Sequence, residues 1–249
     1  MIFKKKFFLI KNKIKSFFRK LTSVFISPFE CIGCSEQCYE ISLCKKCQNH
    51  LEQITPLEKR CKICGKELIS ELDICMQCRR EDEKIIKHLD NVFPLYEYQL
   101  WKKELLFQWK ISENRGLSQF FAKNICAVYE KYFFDFALVP VPPRPGKIKK
   151  KGWDQILELC EYLENIYNVK IYNILKRINV EQQKKLNKTE RLSHIEKSYI
   201  LKKNVIDIPE KIVLLDDIMT TGATLESCAK LLKAKGAKKI CALTLFTKN

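Results

Sequence analysis

The chain has 249 residues and a formal net charge of +17 at pH 7. This length accommodates one α/β domain and a small accessory module that needs bound ions to be stable. The basic excess is uneven: residues 1–29 carry 8 basic and no acidic side chains, whereas residues 30–90 carry 10 basic and 12 acidic ones. The charge balance therefore counts against the cysteine-rich part as the main nucleic-acid surface.

Residues 1–27 are predicted to form a basic amphipathic helix. Its apolar residues share one helical face, and they are Phe7, Ile10, Ile14, Phe17, Leu21 and Phe25. Lysines interrupt the segment, which excludes a signal peptide and a membrane span. Three roles stay open: peripheral contact with an anionic membrane surface, insertion into a partner's groove, or packing on the chain's own metal module. The expected location is cytoplasmic, with the inner membrane face as a peripheral site.

Residues 28–82 are predicted to form a double zinc ribbon. Eight of the 13 cysteines occur as Cys-x-x-Cys pairs, namely Cys31 and Cys34, Cys44 and Cys47, Cys61 and Cys64, and Cys75 and Cys78. Two such pairs complete one tetrahedral Cys₄ site, so two zinc ions are expected. Sequential and cross-braced pairing fit the spacing equally well. Cys38 lies between two pairs and is interpreted as a bystander.

Paired cysteines are also compatible with disulfides or with an iron site. Disulfides are disfavoured, because the chain has no cleavable signal and an odd number of cysteines. An iron site would use the same ligands, but nothing in the sequence indicates electron transfer, and zinc is preferred.

Residues 90–249 are predicted to form an α/β domain with a parallel sheet. In chain order the patterns predict a strand over Asn91–Tyr98, helices over Leu100–Trp109 and Leu117–Tyr132, a strand from Leu138, a helix over Ile156–Tyr167, a charged flap over Lys176–Arg191, a strand over Ile212–Leu215, a helix from Leu225 and a strand over Ile240–Phe246.

The segment Ile212–Thr224 carries the most specific functional pattern. A buried strand is followed by Asp216 and Asp217, and then by a loop that opens a helix. The loop residues are Thr220, Thr221, Gly222, Ala223 and Thr224. In open α/β sheets ligands bind beyond the carboxyl ends of strands, and free N–H groups at a helix N-terminus suit a phosphate. The two carboxylates suit ribose hydroxyls and Mg²⁺. The alternative is an ordinary strand-to-helix connection with helix caps.

This segment resembles the phosphoribosyl pyrophosphate (PRPP) motif of type I phosphoribosyltransferases. The resemblance implies that Asp216 and Asp217 hold the ribose at the catalytic centre, that Thr220–Thr224 hold the 5′-phosphate, and that Mg²⁺ accompanies PRPP.

The double Cys₄ module and the PRPP motif together resemble the ComF family of bacterial competence-associated proteins, from about Pro28 to the end of the chain. Leu138–Pro143 resembles the family's first sheet strand and its loop, and Lys151–Gln155 resembles a family motif. Gln183 and Arg191 fit two later positions. The resemblance implies a type I phosphoribosyltransferase-like parallel sheet with a small N-terminal double zinc-ribbon module.

Basic clusters at Arg144–Lys151 and Lys176–Arg191 flank the predicted pocket. Pro142, Pro143, Arg144 and Lys151 are the candidates for a pyrophosphate loop. The basic residues would neutralise the leaving pyrophosphate, bind a nucleic-acid backbone, or only form a solvated surface.

Two classes of function follow. The first is a phosphoribosyltransferase whose acceptor the sequence does not reveal, and the ComF resemblance implies that it serves DNA uptake in natural transformation. The second is a non-catalytic binding protein that handles single-stranded DNA beside a helicase-like competence protein, or that senses PRPP.

Overall fold

The computed structural model describes residues 29–79, 86–178 and 198–248. The predicted N-terminal helix, most of the predicted flap, Gln183 and Arg191 lie outside these residues. Among the helices that these three ranges contain, none is long and apolar enough to cross a membrane.

The N-terminal module is a small cysteine-rich unit with short elements. Strands β1 (Phe29–Glu30) and β2 (Gln37–Cys38) form an antiparallel pair, and helix α1 (Lys45–Glu52) follows. A single 3₁₀ turn (Leu57–Lys59) leads to the second half, which ends in the short helix α2 (Met76–Arg79). Such short elements bury little apolar area by themselves, so the module depends on its cysteine clusters and on its neighbours.

The rest of the described chain forms the predicted α/β unit. Its elements are β3 (Asn91–Glu97), α3 (Trp101–Lys110), α4 (Gly116–Tyr132), β4 (Ala137–Pro140), α5 (Lys147–Lys151), α6 (Gln155–Asn165), β5 (Leu175–Arg177), β6 (Tyr199–Leu201), β7 (Lys211–Met219), α7 (Ala223–Ala234) and β8 (Lys239–Thr247).

Four of these strands form a parallel sheet in the order β3-β8-β7-β4. The α/β class with a parallel sheet is therefore confirmed. The small strands β5 and β6 form a separate antiparallel pair. Strand β7 extends past the predicted end at Leu215 to Met219, because Asp216 and Met219 still pair with Thr244 and Thr247 of β8. The acidic pair thus lies within the paired part of β7 and not beyond the end of the strand.

Alternating residues of the strands face two separate apolar clusters, as expected for a sheet that is covered on both faces. Val213 and Leu215 of β7 belong to the cluster formed with helices α3, α4 and α6. Ile212 and Leu214 belong to the cluster formed with helix α7. The result is a three-layer arrangement that fixes the carboxyl ends of β4 and β7 beside one another.

The cysteine-rich module packs on the same two clusters. Leu43 and Leu51 from its first half belong to the cluster formed with α3, α4 and α6. Cys61 and Cys75 from its second half belong to the cluster formed with α7. The two halves therefore lie on opposite faces of the sheet beside β3. The module shares its apolar core with the α/β unit.

Arg60 connects the second half of the module to β3. Its buried guanidinium donates to the carbonyl oxygens of Thr55 (2.9 Å), Gly65 (3.0 Å) and Pro94 (2.8 Å). The same group lies over the Phe93 ring at 4.6 Å from the centroid. A guanidinium suits this position, because its fixed fork of N–H donors reaches several carbonyl groups at once.

Candidate functional site

Asp217 is the centre of a polar network at the carboxyl end of β7. Its residue is 6% exposed. One carboxylate oxygen, Oδ2, lies 2.5 Å from Lys110 Nζ and accepts a hydrogen bond of 2.5 Å from Gln155 Nε2. Lys110 ends helix α3 and Gln155 begins helix α6, so three elements meet at this carboxylate. A buried carboxylate needs such partners, because burying an unpaired charge is costly.

The network continues from Gln155 into the basic segment after β4. Lys147 Nζ contacts Gln155 Oε1 and lies 2.6 Å from Asp154 Oδ2. The other oxygen of Asp154 accepts from the backbone N–H groups of Ile156 (3.0 Å) and Leu157 (3.1 Å), which makes Asp154 the N-cap of α6. Within the Lys151–Gln155 motif, Asp154 therefore positions the helix, and Gln155 faces the acidic pair.

Asp216 has a different environment from its neighbour. It is half-buried, and its Oδ1 accepts a hydrogen bond of 2.8 Å from the backbone N–H of Asp217. Burial and the adjacent Asp217 charge raise the pKa of Asp216 to about 8, although Lys110 acts in the opposite direction. Burial and the neighbouring charge thus favour the protonated form of Asp216, and a bound cation would favour the ionised form.

The loop after β7 has the geometry of an anion-binding helix N-terminus. Gly222 has φ +79°, a left-handed conformation that glycine adopts at little cost, and it immediately precedes α7. Thr220 and Thr221 are exposed, Thr224 is half-buried, and Gly222 and Ala223 are buried. The backbone N–H groups of the first turn and the nearby hydroxyls suit a phosphate group.

The segment before β3 also contacts this loop, which the sequence pattern did not reveal. Ile86 packs against Gly222, where an added Cβ atom would lie 3.1 Å from Ile86 Cγ1. Two residues on, the backbone N–H of His88 donates to the Glu226 carboxylate at 3.0 Å, and His88 Nδ1 lies 2.5 Å from Glu226 Oε1. Glu226 belongs to the first turn of α7, so the start of this helix is fixed by residues that follow the cysteine-rich module.

The predicted pyrophosphate-loop residues follow β4, the strand that pairs with β7 and therefore lies beside the acidic pair. Pro142 and Pro143 are half-buried, whereas Arg144 and Lys151 are exposed. Lys147 from the same segment is the lysine that reaches the network around Asp217. Sequence reasoning missed Lys110 and did not single out Lys147, since a lysine in a helix carries no signal of its own.

The eight paired cysteines form two clusters, and the pairing is sequential rather than cross-braced. Each cluster has four Sγ atoms within 4.8 Å of one another, and the clusters are Cys31, Cys34, Cys44 and Cys47, and Cys61, Cys64, Cys75 and Cys78. Cys38 belongs to neither cluster, and its thiol donates to the carbonyl oxygen of Phe29 at 3.4 Å.

Both clusters fit a four-coordinate zinc ion. Zn–S bonds of about 2.3 Å in a tetrahedron place sulfur atoms about 3.8 Å apart. The Sγ atoms of Cys34 and Cys44 are 3.5 Å apart, and those of Cys64 and Cys75 are 3.7 Å apart. The backbone N–H of Cys75 also points at Cys61 Sγ at 3.4 Å. Hydrogen bonds from Cys64 and from backbone amides lower the pKa of Cys61 to about 4, which favours the thiolate that binds a metal.

Comparisons with known proteins agree with these two features. Residues 169–249 match the phosphoribosyl transferase domain family. The chain is 30% identical over 212 residues to competence protein ComFC of Bacillus subtilis, with 82% of each chain covered. It is 28% identical to competence protein ComFC of Streptococcus pneumoniae, with 82% of this chain and 86% of the relative covered.

Two further similarities are more distant. The chain is 23% identical to competence protein F of Haemophilus influenzae over 85% of this chain and 94% of the relative. A hypoxanthine phosphoribosyltransferase structure from Staphylococcus aureus shares 17% identity over 51% of this chain and 62% of that one, and its TM-score of 0.30 is too low to assign a fold. On the strength of the Bacillus relative, this chain belongs to the ComF family of competence proteins and carries a phosphoribosyl transferase domain.

Proposed function

We propose that this chain binds PRPP with Mg²⁺ and transfers its phosphoribosyl group to an acceptor as part of DNA uptake in natural transformation. The observation that carries this proposal is the meeting of an acidic pair with a helix N-terminus at the carboxyl end of β7. The competence relatives supply the cellular context.

Each part of PRPP has a matching group in this arrangement. Asp216 and Asp217 accept hydrogen bonds from the ribose hydroxyls, and their carboxylates are suitable ligands for Mg²⁺. The loop residues bind the 5′-phosphate through backbone N–H groups and hydroxyls, and they are Thr220, Thr221, Gly222, Ala223 and Thr224. Pro142, Pro143, Arg144 and Lys151 are proposed to border the pyrophosphate. Catalysis at such a site is chiefly positioning and electrostatic stabilisation of the leaving group.

Two zinc ions are proposed to stabilise the residue range 28–82, with one ion in each cysteine cluster. Their role is structural, because four cysteines per cluster leave no open coordination position for a substrate. The α/β unit over 90–249 would then carry the phosphoribosyl site. The proposed location is cytoplasmic, with the N-terminal residues 1–27 as a peripheral contact to the inner membrane face.

Calorimetric titration and diphosphate release test the enzymatic proposal. The wild-type chain is expected to bind PRPP only with Mg²⁺ and to release diphosphate when a panel of nucleobases and amines is supplied. Asp216→Asn combined with Asp217→Asn should lower PRPP affinity at least tenfold, while Asp207→Asn, which replaces an exposed aspartate away from the site, serves as the control. PRPP affinity that is unchanged in the double variant would contradict the site assignment.

A second candidate function is binding of single-stranded DNA beside a helicase-like competence protein, with PRPP as a sensed ligand. Helix α5 favours DNA binding, because it carries three consecutive exposed lysines beside the proposed pocket, Lys149, Lys150 and Lys151. Each neutralised phosphate of a single strand contributes a slope of about −0.7 to the dependence of log affinity on log salt. Binding of this kind therefore weakens steeply with salt and shows little sequence preference.

Fluorescence anisotropy with a labelled oligonucleotide tests this second candidate. Glutamate at all three α5 lysine positions should reduce both the affinity and its salt slope. Lys45→Glu with Lys46→Glu on α1, two exposed lysines of the cysteine-rich module, should leave the slope nearly unchanged. If the wild-type chain shows no binding at low salt, the DNA-binding candidate is wrong.

A further inference from the structure

Lys110 reaches the candidate site from a helix that the phosphoribosyl motif does not include. It is the last residue of α3, and its Nζ lies 2.5 Å from Asp217 Oδ2. The carboxyl end of a helix carries a partial negative charge, which favours a cation at this position. The ammonium is thus placed at the acidic pair by both the helix end and the carboxylate.

The Lys110 side of the contact with Asp217 is partly open to solvent. The Lys110 side chain is 33% exposed, whereas that of Asp217 is 8% exposed. Gln155 donates to the same oxygen of Asp217 at 2.5 Å and would keep the carboxylate oriented if Lys110 moved away. An ammonium has three donors, so it has capacity for oxygen atoms beyond the one on Asp217.

Binding of the phosphoribosyl donor PRPP would change the balance of charges at the site. In the free protein, the Lys110 ammonium pairs with the Asp217 carboxylate, directly beside the second acidic side chain, Asp216. A bound Mg²⁺ ion and ribose hydroxyls would take over part of this pairing, while the diphosphate of the donor brings several negative charges to the same end of the sheet. A partly exposed lysine on a flexible four-carbon stem can follow this change.

We propose that Lys110 pairs with Asp217 in the free protein and binds the diphosphate group of the phosphoribosyl donor when it is present. This inference rests on the proposed function, because it needs PRPP as the ligand. Lys110 then belongs to the binding site although it lies outside the Asp/Thr motif and outside the basic loop after β4. Its contribution is specific to the diphosphate and not to the ribose 5-phosphate part of the ligand.

Isothermal titration with three probes separates these contributions: PRPP with Mg²⁺, diphosphate with Mg²⁺, and ribose 5-phosphate. Lys110→Met should weaken the binding of PRPP and of diphosphate about tenfold or more, which is the loss expected for a hydrogen bond between charged groups. Affinity for ribose 5-phosphate should change much less. Lys110→Arg should retain most of the diphosphate affinity, because it keeps the charge.

Lys103→Met provides the matched control, because Lys103 lies on the same helix and is exposed. It should bind all three probes as the wild type does. The inference is overturned if Lys110→Met binds diphosphate as the wild type does. It is also overturned if the affinities of Lys110→Met for PRPP and for ribose 5-phosphate fall by the same factor, because Lys110 would then only position the Asp217 carboxylate. If the wild-type chain binds none of the three probes, the proposed function and this inference are both wrong.

Discussion

Ile86 packs directly on Gly222, so the segment that follows the cysteine-rich module lies against the candidate phosphate loop. Gly222 has φ +79°, and a Cβ atom there would be 3.1 Å from Ile86 Cγ1. The loop conformation is therefore determined by two constraints at once. One is the left-handed backbone of the glycine, and the other is a side chain that lies far away in the sequence.

Gly222→Ala is expected to weaken PRPP binding more than it weakens folding. Alanine in a left-handed conformation costs about 1 to 2 kcal/mol, and the contact with Ile86 adds to this cost. Relief of that strain would rotate the backbone N–H groups away from the phosphate. Calorimetry and urea unfolding measure the two effects. Gly236→Ala is the control, because Gly236 follows the other end of α7, has φ +105° and leaves open space for an added Cβ atom. This variant should destabilise the fold without lowering PRPP affinity. Equal losses of affinity in both variants would contradict this account.

The raised pKa of Asp216 predicts a pH-dependent stability. An aspartate in the unfolded chain releases its proton near pH 4, whereas Asp216 in the folded protein releases it near pH 8. Between these values the folded state binds more protons than the unfolded state, so its stability falls as the pH rises. Urea unfolding at about pH 5 and about pH 8 should show this loss, and Asp216→Asn should reduce it. A wild-type slope that persists in Asp216→Asn would place the titration elsewhere.

The same pKa predicts that ligand binding releases a proton. Mg²⁺ and PRPP favour the ionised form of Asp216, so their affinity should increase as the pH approaches 8. Calorimetry at about pH 7 in two buffers with different ionisation enthalpies measures the number of protons released. Asp216→Asn should release fewer. Binding without proton release by the wild type would show that Asp216 does not contact the ligand.

Arg60 is predicted to be a main structural link between the cysteine-rich module and the sheet. Arg60→Met removes three hydrogen bonds to backbone carbonyl groups, two of them buried, and should lower the free energy of unfolding by about 3 kcal/mol. Arg60→Lys should rescue little, since an ammonium lacks the planar fork of donors. Chemical unfolding measures both variants, with Arg79→Met as an exposed control on the same module. A loss below about 1 kcal/mol in Arg60→Met would contradict the predicted role.

Metal content is predicted to follow the two cysteine clusters. Native mass spectrometry should find two zinc ions per chain, and Cys34→Ala should lose one of them because Cys34 belongs to the first cluster. Cys38→Ala should keep both, because its sulfur lies outside the clusters. A chelator should also lower the thermal stability of the α/β unit, since the module shares its core. Two ions in Cys34→Ala, or one in Cys38→Ala, would show that the ligand sets are wrong.

Local patterns were enough to predict the fold class and the grouping of the cysteines. The apolar run over Ile212–Leu215 predicted a buried strand because both faces of the sheet are covered, and the structure places its residues in two different clusters. Paired cysteines predict metal-binding clusters because two-residue spacing by itself creates a chelating turn. The choice between sequential and cross-braced pairing needed the three-dimensional structure.

The contacts of the candidate site were less accessible to sequence reasoning. The extension of β7 to Met219 depends on its register with β8, which no local pattern encodes. Lys110 is an ordinary helical lysine until the packing of α3 brings it to Asp217. Ile86 and Gly222 likewise meet only through tertiary structure. The motif thus indicated the candidate ligand-binding residues, but the side chains that contact them come from distant segments.

The half of the module that contains the second cysteine cluster covers the free edge of β3. Gly65 lies so close to Val92 that a Cβ atom on it would be 2.1 Å from the Val92 carbonyl oxygen, and Arg60 binds the Pro94 carbonyl. An unprotected edge strand is a template for pairing with another chain. If the second cluster holds a metal ion as proposed, removal of that ion would uncover β3, a mostly buried strand at the edge of the parallel sheet. We therefore expect this half of the module to protect β3 from self-association, and we expect chains without metal in the second cluster to aggregate through β3 before the candidate site unfolds.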